Sequence, residues 1–290
     1  MTPHARPSLT TSRIPRTAFT LVEILVVIAM VGVLIGVLVV SLSSVQTSAN
    51  SAADLANQSQ IIKANLNYAT DNNGRLFHPR TVGEEPNGTN DIDEDVIARM
   101  WVRDDWEDPN NIPETITGVE ALQKGEAWEY LGNESIYRSP LDPTQRLRSY
   151  SLNSFVGVNN GADDYSGYAG NPPPNLAANY IPCQTLSRIT QPSRTMGCII
   201  EQDPDYANNW NGFLVHPGWE NTTIAQWIDF PAWDWNPGRI TIAYMDGSTE
   251  NYRLTDYDNL SQAVQTHNVI YDSTDYRFFR DIMLPGRVKN

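Results

Sequence analysis

The sequence predicts an α+β fold in which one long N-terminal α-helix packs on an antiparallel β-sheet with long loops. Two observations predict the helix: an unbroken apolar run from Phe19 to Leu42, and the absence of proline between Pro15 and Pro79. A third observation predicts the sheet, since Asp246-Gly247 separates two alternating segments of the kind that form a β-hairpin.

The apolar run is long enough to span a membrane. As a helix, Phe19–Leu42 rises about 36 Å, and the hydrocarbon core of a bilayer is roughly 30 Å thick. The leader at 1–18 contains three arginines and no acid, which predicts a cytoplasmic N-terminus and an extracytoplasmic remainder. The alternative is an ordinary secretory signal, for which Ser51-Ala52-Ala53 would offer small residues for cleavage.

The helix is expected to continue beyond the apolar run as an amphipathic helix. Apolar residues recur there at spacings of three and four or their sums, and they are Val45, Ala49, Ala52, Ala56, Ile62, Leu66 and Ala69. Asn72-Asn73-Gly74 supplies a stop signal, so we expect the helix to end near Asp71. The predicted organisation is a basic leader (1–18), a transmembrane helix (19–42), its amphipathic continuation (43–72) and a globular head (73–290).

The head is predicted to be one acidic domain. The chain has 20 basic and 34 acidic residues, and loss of the three leader arginines leaves 17 basic residues against those 34. Such a surface repels nucleic acid, which excludes nucleic acid as a partner. We expect a short helix at Val119–Leu131, a strand at Ser149–Val156 and a surface loop at Gly157–Pro182.

The last part of the head is predicted to hold the hairpin and an ordered tail. The hairpin strands are expected at Arg239–Met245 and Ser248–Leu254, joined by a two-residue Asp246-Gly247 turn. The tail beyond them is too aromatic for disorder, so we expect it to pack back on the sheet.

Three acids at alternate positions form a candidate calcium site. Asp91, Asp93 and Asp95 could chelate calcium, but the surrounding loop lacks the glycine at position six and the glutamate at position twelve of an EF-hand. We therefore expect no cofactor, and calcium at these acids remains the alternative.

Cys183 and Cys198 both lie in the part expected outside the cytoplasm. They can form a disulfide there, or they can be two unpaired buried thiols.

No arrangement of residues in the sequence indicates an enzyme. No histidine has a His-x-x-x-His spacing, and no Gly-x-Ser-x-Gly or phosphate-binding loop is present. The eight tryptophans favour core positions, with an exposed sugar-stacking surface as the alternative.

The N-terminal segment resembles the class III signal of type IV prepilins and type II secretion pseudopilins. The resemblance rests on Arg16-Thr-Ala18, then Phe19-Thr-Leu-Val-Glu23 and the long apolar run. It implies that a prepilin peptidase cuts between Ala18 and Phe19 and methylates the new amine of Phe19. The family nearly always has glycine where this chain has Ala18.

The resemblance also implies a role for Glu23, which would pair with the amine of Phe19 in a neighbouring subunit during assembly. Thr20-x-x-Glu23 is also the pattern of a helix capping box, and the two roles are compatible.

A second stretch is similar to large-headed prepilin-like proteins of bacteria. Pro192-Ser-Arg-Thr195 leads into a predicted strand that ends at Glu201, and those proteins also carry His, nine residues, then Asp-Gly. Here Asn236 stands in the histidine position before Asp246-Gly247, so a role of that histidine does not carry over.

Together these resemblances imply a pilin-like lollipop that serves as a structural subunit of a pilus-like or pseudopilus fibre. The implied location is the bacterial inner membrane, with one span and a periplasmic or surface-exposed head. The implied partners are prepilin peptidase, other pilin or pseudopilin subunits, the inner-membrane assembly machinery and membrane lipid. The alternative is a membrane-anchored envelope binding or lattice protein that uses the same signal for targeting.

Overall fold

A computed structural model of the chain describes residues 19–81, 94–103, 119–144, 146–158, 183–202, 212–215, 227, 229–257 and 273–285, without the side chains of 40, 41, 43 and 44. The structure is α+β, with an N-terminal apolar helix and a four-stranded antiparallel sheet, as predicted at this level. The chain divides into two compact units, Met1–Gln46 and Thr47–Asn290.

The N-terminal helix α1 extends from Leu21 to Asp71, close to the predicted range. Gly74, with φ of 83°, follows its end, and the Gly74 amide donates to the carbonyl of Ala69 (2.7 Å). Because the second unit begins at Thr47, the later part of α1 belongs to the same unit as the sheet.

The remaining elements are short. The helices are α2 (Glu94–Ile97), α3 (Val119–Gln123), α4 (Trp128–Leu131) and α5 (Thr274–Met283), with 3-10 turns at Glu134–Tyr137, Leu186–Arg188 and Pro192–Arg194. The strands are β1 (Tyr150–Leu152), β2 (Met196–Ile200), β3 (Arg239–Tyr244) and β4 (Thr249–Arg253), and they lie side by side in that order, antiparallel throughout.

The predicted hairpin is confirmed as β3 and β4, but its turn is longer than predicted. The amide of Tyr244 donates to the carbonyl of Ser248 (2.9 Å), which leaves three residues, not two, between these partners. Asp246 Oδ1 accepts from the amide of Ser248 (2.9 Å), and Gly247 takes the left-handed conformation with φ of 85°. A type I turn followed by a left-handed glycine satisfies these bonds, and a two-residue turn would not.

The two faces of the sheet are covered by two helices. Thr241 of β3 contacts Asp54 of α1, so the face of Thr241 carries the later part of α1. Tyr252 of β4 lies on the opposite face of the sheet from Thr241. It stacks on Phe278 of α5, with 3.9 Å between the ring centroids. The aromatic tail therefore packs back on the sheet, as predicted.

The predicted helix at Val119–Leu131 is interrupted after Gln123, giving α3 and α4. The amides of Glu126 and Ala127 donate to the carbonyls of Met100 (2.9 Å) and Trp101 (3.3 Å), so they leave the helical pattern. A Cβ at Gly125 would overlap the Trp101 carbonyl, which explains why glycine stands at the break.

Of the strand predicted at Ser149–Val156, only the part Tyr150–Leu152 forms a strand, which is β1. Asn153 Oδ1 accepts from the amide of Phe155 (2.9 Å), which turns the chain away from the sheet. The predicted loop at Gly157–Pro182 begins with two buried residues, Gly157 and Val158, and its part from 159 onward lies outside the described residues.

We expect Gly157→Ala to destabilise the second unit by about 3 kcal/mol or more. Gly157 has φ of 87°, and a Cβ there would overlap the carbonyl oxygen of Phe77, which is backbone and cannot move aside cheaply. Denaturant unfolding of the full chain in detergent measures the change in the free energy of unfolding. Gly238→Ala is the matched control, because Gly238 has φ of 72° with nothing within 4 Å of the added Cβ. It should cost only about 1 kcal/mol, and equal losses would contradict the overlap.

Candidate functional site

The first part of α1 exposes apolar side chains on every side. No residue in the window Leu21–Val39 is buried, and this is the one helix among the described residues long and apolar enough to cross a membrane. Phe19 and Leu21 are 80% and 82% exposed. A helix that is apolar all round and exposed requires lipid or other protein to cover it.

Thr20 and Glu23 form a capping box at the start of this helix. Glu23 Oε2 accepts from the Thr20 amide (2.7 Å) and from Thr20 Oγ1 (2.8 Å), and the Glu23 amide donates back to Thr20 Oγ1 (3.2 Å). Both acceptor bonds use Oε2, so among the described contacts Oε1 remains available. Since every partner lies at or after Thr20, a cut between Ala18 and Phe19 would leave the box intact. Ala18 itself lies outside the described residues.

The later part of α1 is held on the sheet by a buried cluster that we call the polar clasp, made of Asp54, Gln58, Tyr150 and Thr241. The Asp54 carboxylate is fully buried and accepts from the hydroxyls of Tyr150 (2.7 Å) and Thr241 and from Gln58 Nε2 (2.9 Å). Gln58 Nε2 also donates to the Thr241 carbonyl (3.1 Å). The clasp thus joins one helix to β1 and β3 through neutral donors.

Asn236 adds a second polar contact between α1 and the segment before β3. It is buried, and its Nδ2 donates to Ser51 Oγ (3.0 Å). Asn236 therefore lies against α1.

These contacts bear on the secretory-signal alternative. Ser51-Ala52-Ala53 lies within α1, where Ser51 is 6% exposed and Asp54 is 0% exposed. Cleavage after Ala53 would remove the bond between Ser51 and Asn236 and would place a charged amine on a fully buried residue. The loss of the bond between Ser51 and Asn236 and the burial of Asp54 count against a cut at this position.

The clasp was not anticipated as a site, although one signal for it exists. Asp54 is the first charged residue after Glu23 in α1, and Gln58 follows it by one turn. Tyr150 and Thr241 have no local signal.

The structure places one of the three calcium candidates in an ion-pair cluster. Asp95 accepts from Arg75 and from Arg99 Nη2 (3.1 Å). Partial burial acts to raise the pKa of Asp95. The hydrogen bonds and charges of Arg75 and Arg99 outweigh it and hold this pKa below its usual value. Two guanidinium groups therefore occupy the carboxylate that a cation would need, and Asp91 and Asp93 lie outside the described residues. Among the described residues, no group of three or more His, Cys, Asp or Glu side chains could hold a metal ion.

Both cysteines are free and buried, which is the second of the two alternatives. Burial raises the pKa of the Cys183 thiol to about 12 and that of Cys198 well above its usual value. Three tryptophans, Trp101, Trp227 and Trp233, are buried in the core, with at most 2% exposure.

Comparison of the chain with protein-family models, with curated proteins and with solved structures finds no match. The candidate site therefore rests on its own geometry.

We expect Asp54→Asn to change how the stability of the protein depends on pH. Burial raises the pKa of Asp54 above its ordinary 3.8, although its hydroxyl and amide donors partly oppose this. A raised folded pKa contributes stability that is fully present below pH 3.8 and is lost as the pH rises through the folded pKa. The free energy of unfolding of the wild type minus that of the variant should fall over this window.

Denaturant unfolding of both full chains in detergent between pH 4 and pH 8 measures this difference. Subtracting the two curves cancels the groups that titrate equally in both proteins. A difference that is independent of pH would show that Asp54 stays ionised in the folded state and that burial does not dominate its pKa.

Proposed function

We propose that this chain is a structural subunit of a pilus-like or pseudopilus fibre, processed by a prepilin peptidase and assembled through its N-terminal helix. The observation that carries the proposal is the distribution of exposed apolar surface. Within the described residues, every exposed large hydrophobic side chain lies between Phe19 and Val45. The only large apolar surface described is thus on one helix, and it begins at the processing signal.

The position of Glu23 favours assembly over anchoring alone. A simple anchor gains only the capping box from Glu23, whereas a carboxylate four residues inside the start of an apolar span is costly to bury in lipid unless another charge pairs with it. The amine of Phe19 that cleavage creates in a neighbouring copy would offset the charge, and Glu23 Oε1 is available to accept from it. At the same time, the capping box holds the side chain of Glu23 through its Oε2.

The polar clasp supports the same proposal from the other end of α1. A helix through which subunits assemble has to be attached to the head. Asp54 and Gln58 hydrogen-bond α1 directly to β1 and β3. The implied location is the bacterial inner membrane before assembly, with the head outside the cytoplasm.

The alternative, a membrane-anchored envelope binding or lattice protein, has no described feature that favours it. A stacking surface of tryptophans would favour it, but of the five described tryptophans Trp101, Trp227 and Trp233 are buried in the core and Trp128 and Trp235 are half-buried.

We expect the mature protein to begin at Phe19 with a methylated amine. Top-down mass spectrometry of the chain from cells that also express a prepilin peptidase should show loss of residues 1–18 and a gain of one methyl group. Cells without the peptidase should retain the leader. A mature chain that begins at Asp54 would contradict the proposal, because it would lack the apolar helix.

We expect Glu23→Gln to abolish incorporation into fibres sheared from the cell surface, at least tenfold below the wild type. Glutamine can keep the capping box but carries no charge, so this variant isolates the pairing with the neighbouring amine. Thr20→Ala is the converse control, because it weakens the box and keeps the charge. Immunoblotting of sheared fibres measures incorporation, with membrane levels as reference. Normal incorporation of Glu23→Gln would show that the carboxylate acts only as a cap.

A further inference from the structure

The polar clasp encloses a carboxylate, a primary amide and a hydroxyl in one place. Asp54 and Gln58 lie one turn apart on α1, Thr241 lies opposite them on β3, and each is at most 1% exposed. Because a helix and a strand hold these side chains, their relative positions are fixed more precisely than they would be on a loop. The three groups are thus held together away from bulk water.

The amide nitrogen of Gln58 has more acceptors than it can serve. Its Nε2 lies 2.9 Å from Asp54 Oδ2, 2.9 Å from Thr241 Oγ1 and 3.1 Å from the carbonyl oxygen of Thr241. A primary amide has only two N–H bonds for these three acceptors. The contacts of Nε2 therefore cannot all be full hydrogen bonds at once.

The amide oxygen of Gln58 has no donor. Oε1 is buried and accepts no hydrogen bond from any described residue. A buried acceptor without a donor is costly, and such a group in a native structure calls for an explanation. An ester carbonyl is a weaker acceptor than an amide carbonyl, so the cost of leaving Oε1 bare falls if the amide becomes an ester.

One oxygen of Asp54 contacts both of the other groups. Oδ2 accepts from the hydroxyl of Thr241 and from Gln58 Nε2 (2.9 Å), while Oδ1 accepts from the hydroxyl of Tyr150 (2.7 Å). Burial raises the pKa of Asp54, which makes its carboxylate a better proton acceptor than an exposed one. Oδ2 therefore lies where it can take a proton from the hydroxyl and give it to the amide nitrogen.

We propose that the hydroxyl of Thr241 attacks the side-chain amide of Gln58 and forms an intramolecular ester, with Asp54 as the acid–base group. The ester links α1 to β3 covalently. The polar clasp is thus a site of self-modification whose substrate is the chain itself. The reaction needs only the folded second unit, so it goes beyond the proposed function and does not depend on assembly into fibres.

The atoms and protons of this reaction balance without a co-reactant. Asp54 Oδ2 takes the proton of the Thr241 hydroxyl while Oγ1 bonds to Gln58 Cδ, which is one covalent bond from Nε2, and the carbonyl electron pair moves to Oε1. When that pair returns, the bond from Cδ to Nε2 breaks and Nε2 takes the proton from Asp54. Ammonia leaves, Asp54 is again a carboxylate, and no group is oxidised or reduced.

The same geometry predicts a slow reaction that occurs once in each chain. The face of the amide has to turn toward Oγ1, and among the described residues no donor stabilises the charge that develops on Oε1. Loss of ammonia to the solvent makes the step irreversible, and burial protects the ester from water. The linked form therefore accumulates with time in the folded protein.

Intact mass spectrometry of the full chain tests the ester. The chain is purified in detergent and kept folded for a week, and a portion is transferred to denaturant at the start. We expect the folded sample to become lighter than its sequence by one ammonia, with no further loss in the denatured portion. Peptide mapping should join the segment with Gln58 to the segment with Thr241. Full mass after the week, or a loss of ammonia without this linked pair, would overturn the proposal.

Mild base identifies the bond. Hydroxide cleaves an ester and leaves amides intact, so the linked peptides should separate, one with an unchanged Thr241 and one with a glutamate where the sequence has Gln58. In water labelled with oxygen-18 the label should enter that glutamate, because hydroxide attacks Cδ. A link that survives mild base is not an ester and would count against the proposal.

Four variants separate the chemistry from the packing, and limited proteolysis checks that each is folded. Thr241→Val keeps the shape of the side chain without the nucleophile, and Gln58→Met removes the amide, so neither should form the link. Asp54→Asn removes the base and should slow the reaction roughly a hundredfold or more. Thr241→Ser is the matched control, because it keeps a hydroxyl and should still form the link. A link that forms as fast in Asp54→Asn as in the wild type would contradict the role of Asp54.

Discussion

The buried carboxylate of Asp54 constrains how the helix and the sheet fit together. A carboxylate removed from water is costly unless every available oxygen is bonded, and here the donors include the hydroxyls of Tyr150 and Thr241 and the amide of Gln58. A slip of α1 by one turn would separate Asp54 from Tyr150 and Thr241 together. The clasp therefore fixes a single alignment of the helix on the sheet, which apolar packing alone would specify less sharply.

Close packing around the clasp follows from this alignment. A Cβ at Gly197 of β2 would overlap the side chain of Ile62, so glycine lets α1 approach the sheet closely. With α5 stacked on the opposite face through Phe278 and Tyr252, the sheet has little apolar surface left to bury. Among the described residues, the large apolar side chains that stay exposed all lie between Phe19 and Val45.

The features that could be predicted from the sequence depend on neighbouring residues. The range of α1, the capping box of Thr20 and Glu23, and the two hairpin strands all arise from patterns within a few positions. The missed features depend on distant chain segments: Tyr150 and Thr241 lie 96 and 187 positions from Asp54.

The same distinction explains the incorrect boundaries. The break between α3 and α4 requires the carbonyls of Met100 and Trp101, which a local pattern at Gly125 cannot reveal. The three-residue hairpin turn depends on the side chain of Asp246, whose bond to Ser248 competes with the shorter turn that Asp-Gly suggests.

The two unpaired cysteines have a consequence for what holds the head together. The chain contains only Cys183 and Cys198, and both thiols are enclosed in the core with a raised pKa. At neutral pH almost no thiolate forms, so exchange with oxidants or with other thiols is slow. In this structure the head is therefore held by the packing and hydrogen bonds of its core, with both of its thiols reduced and shielded from solvent.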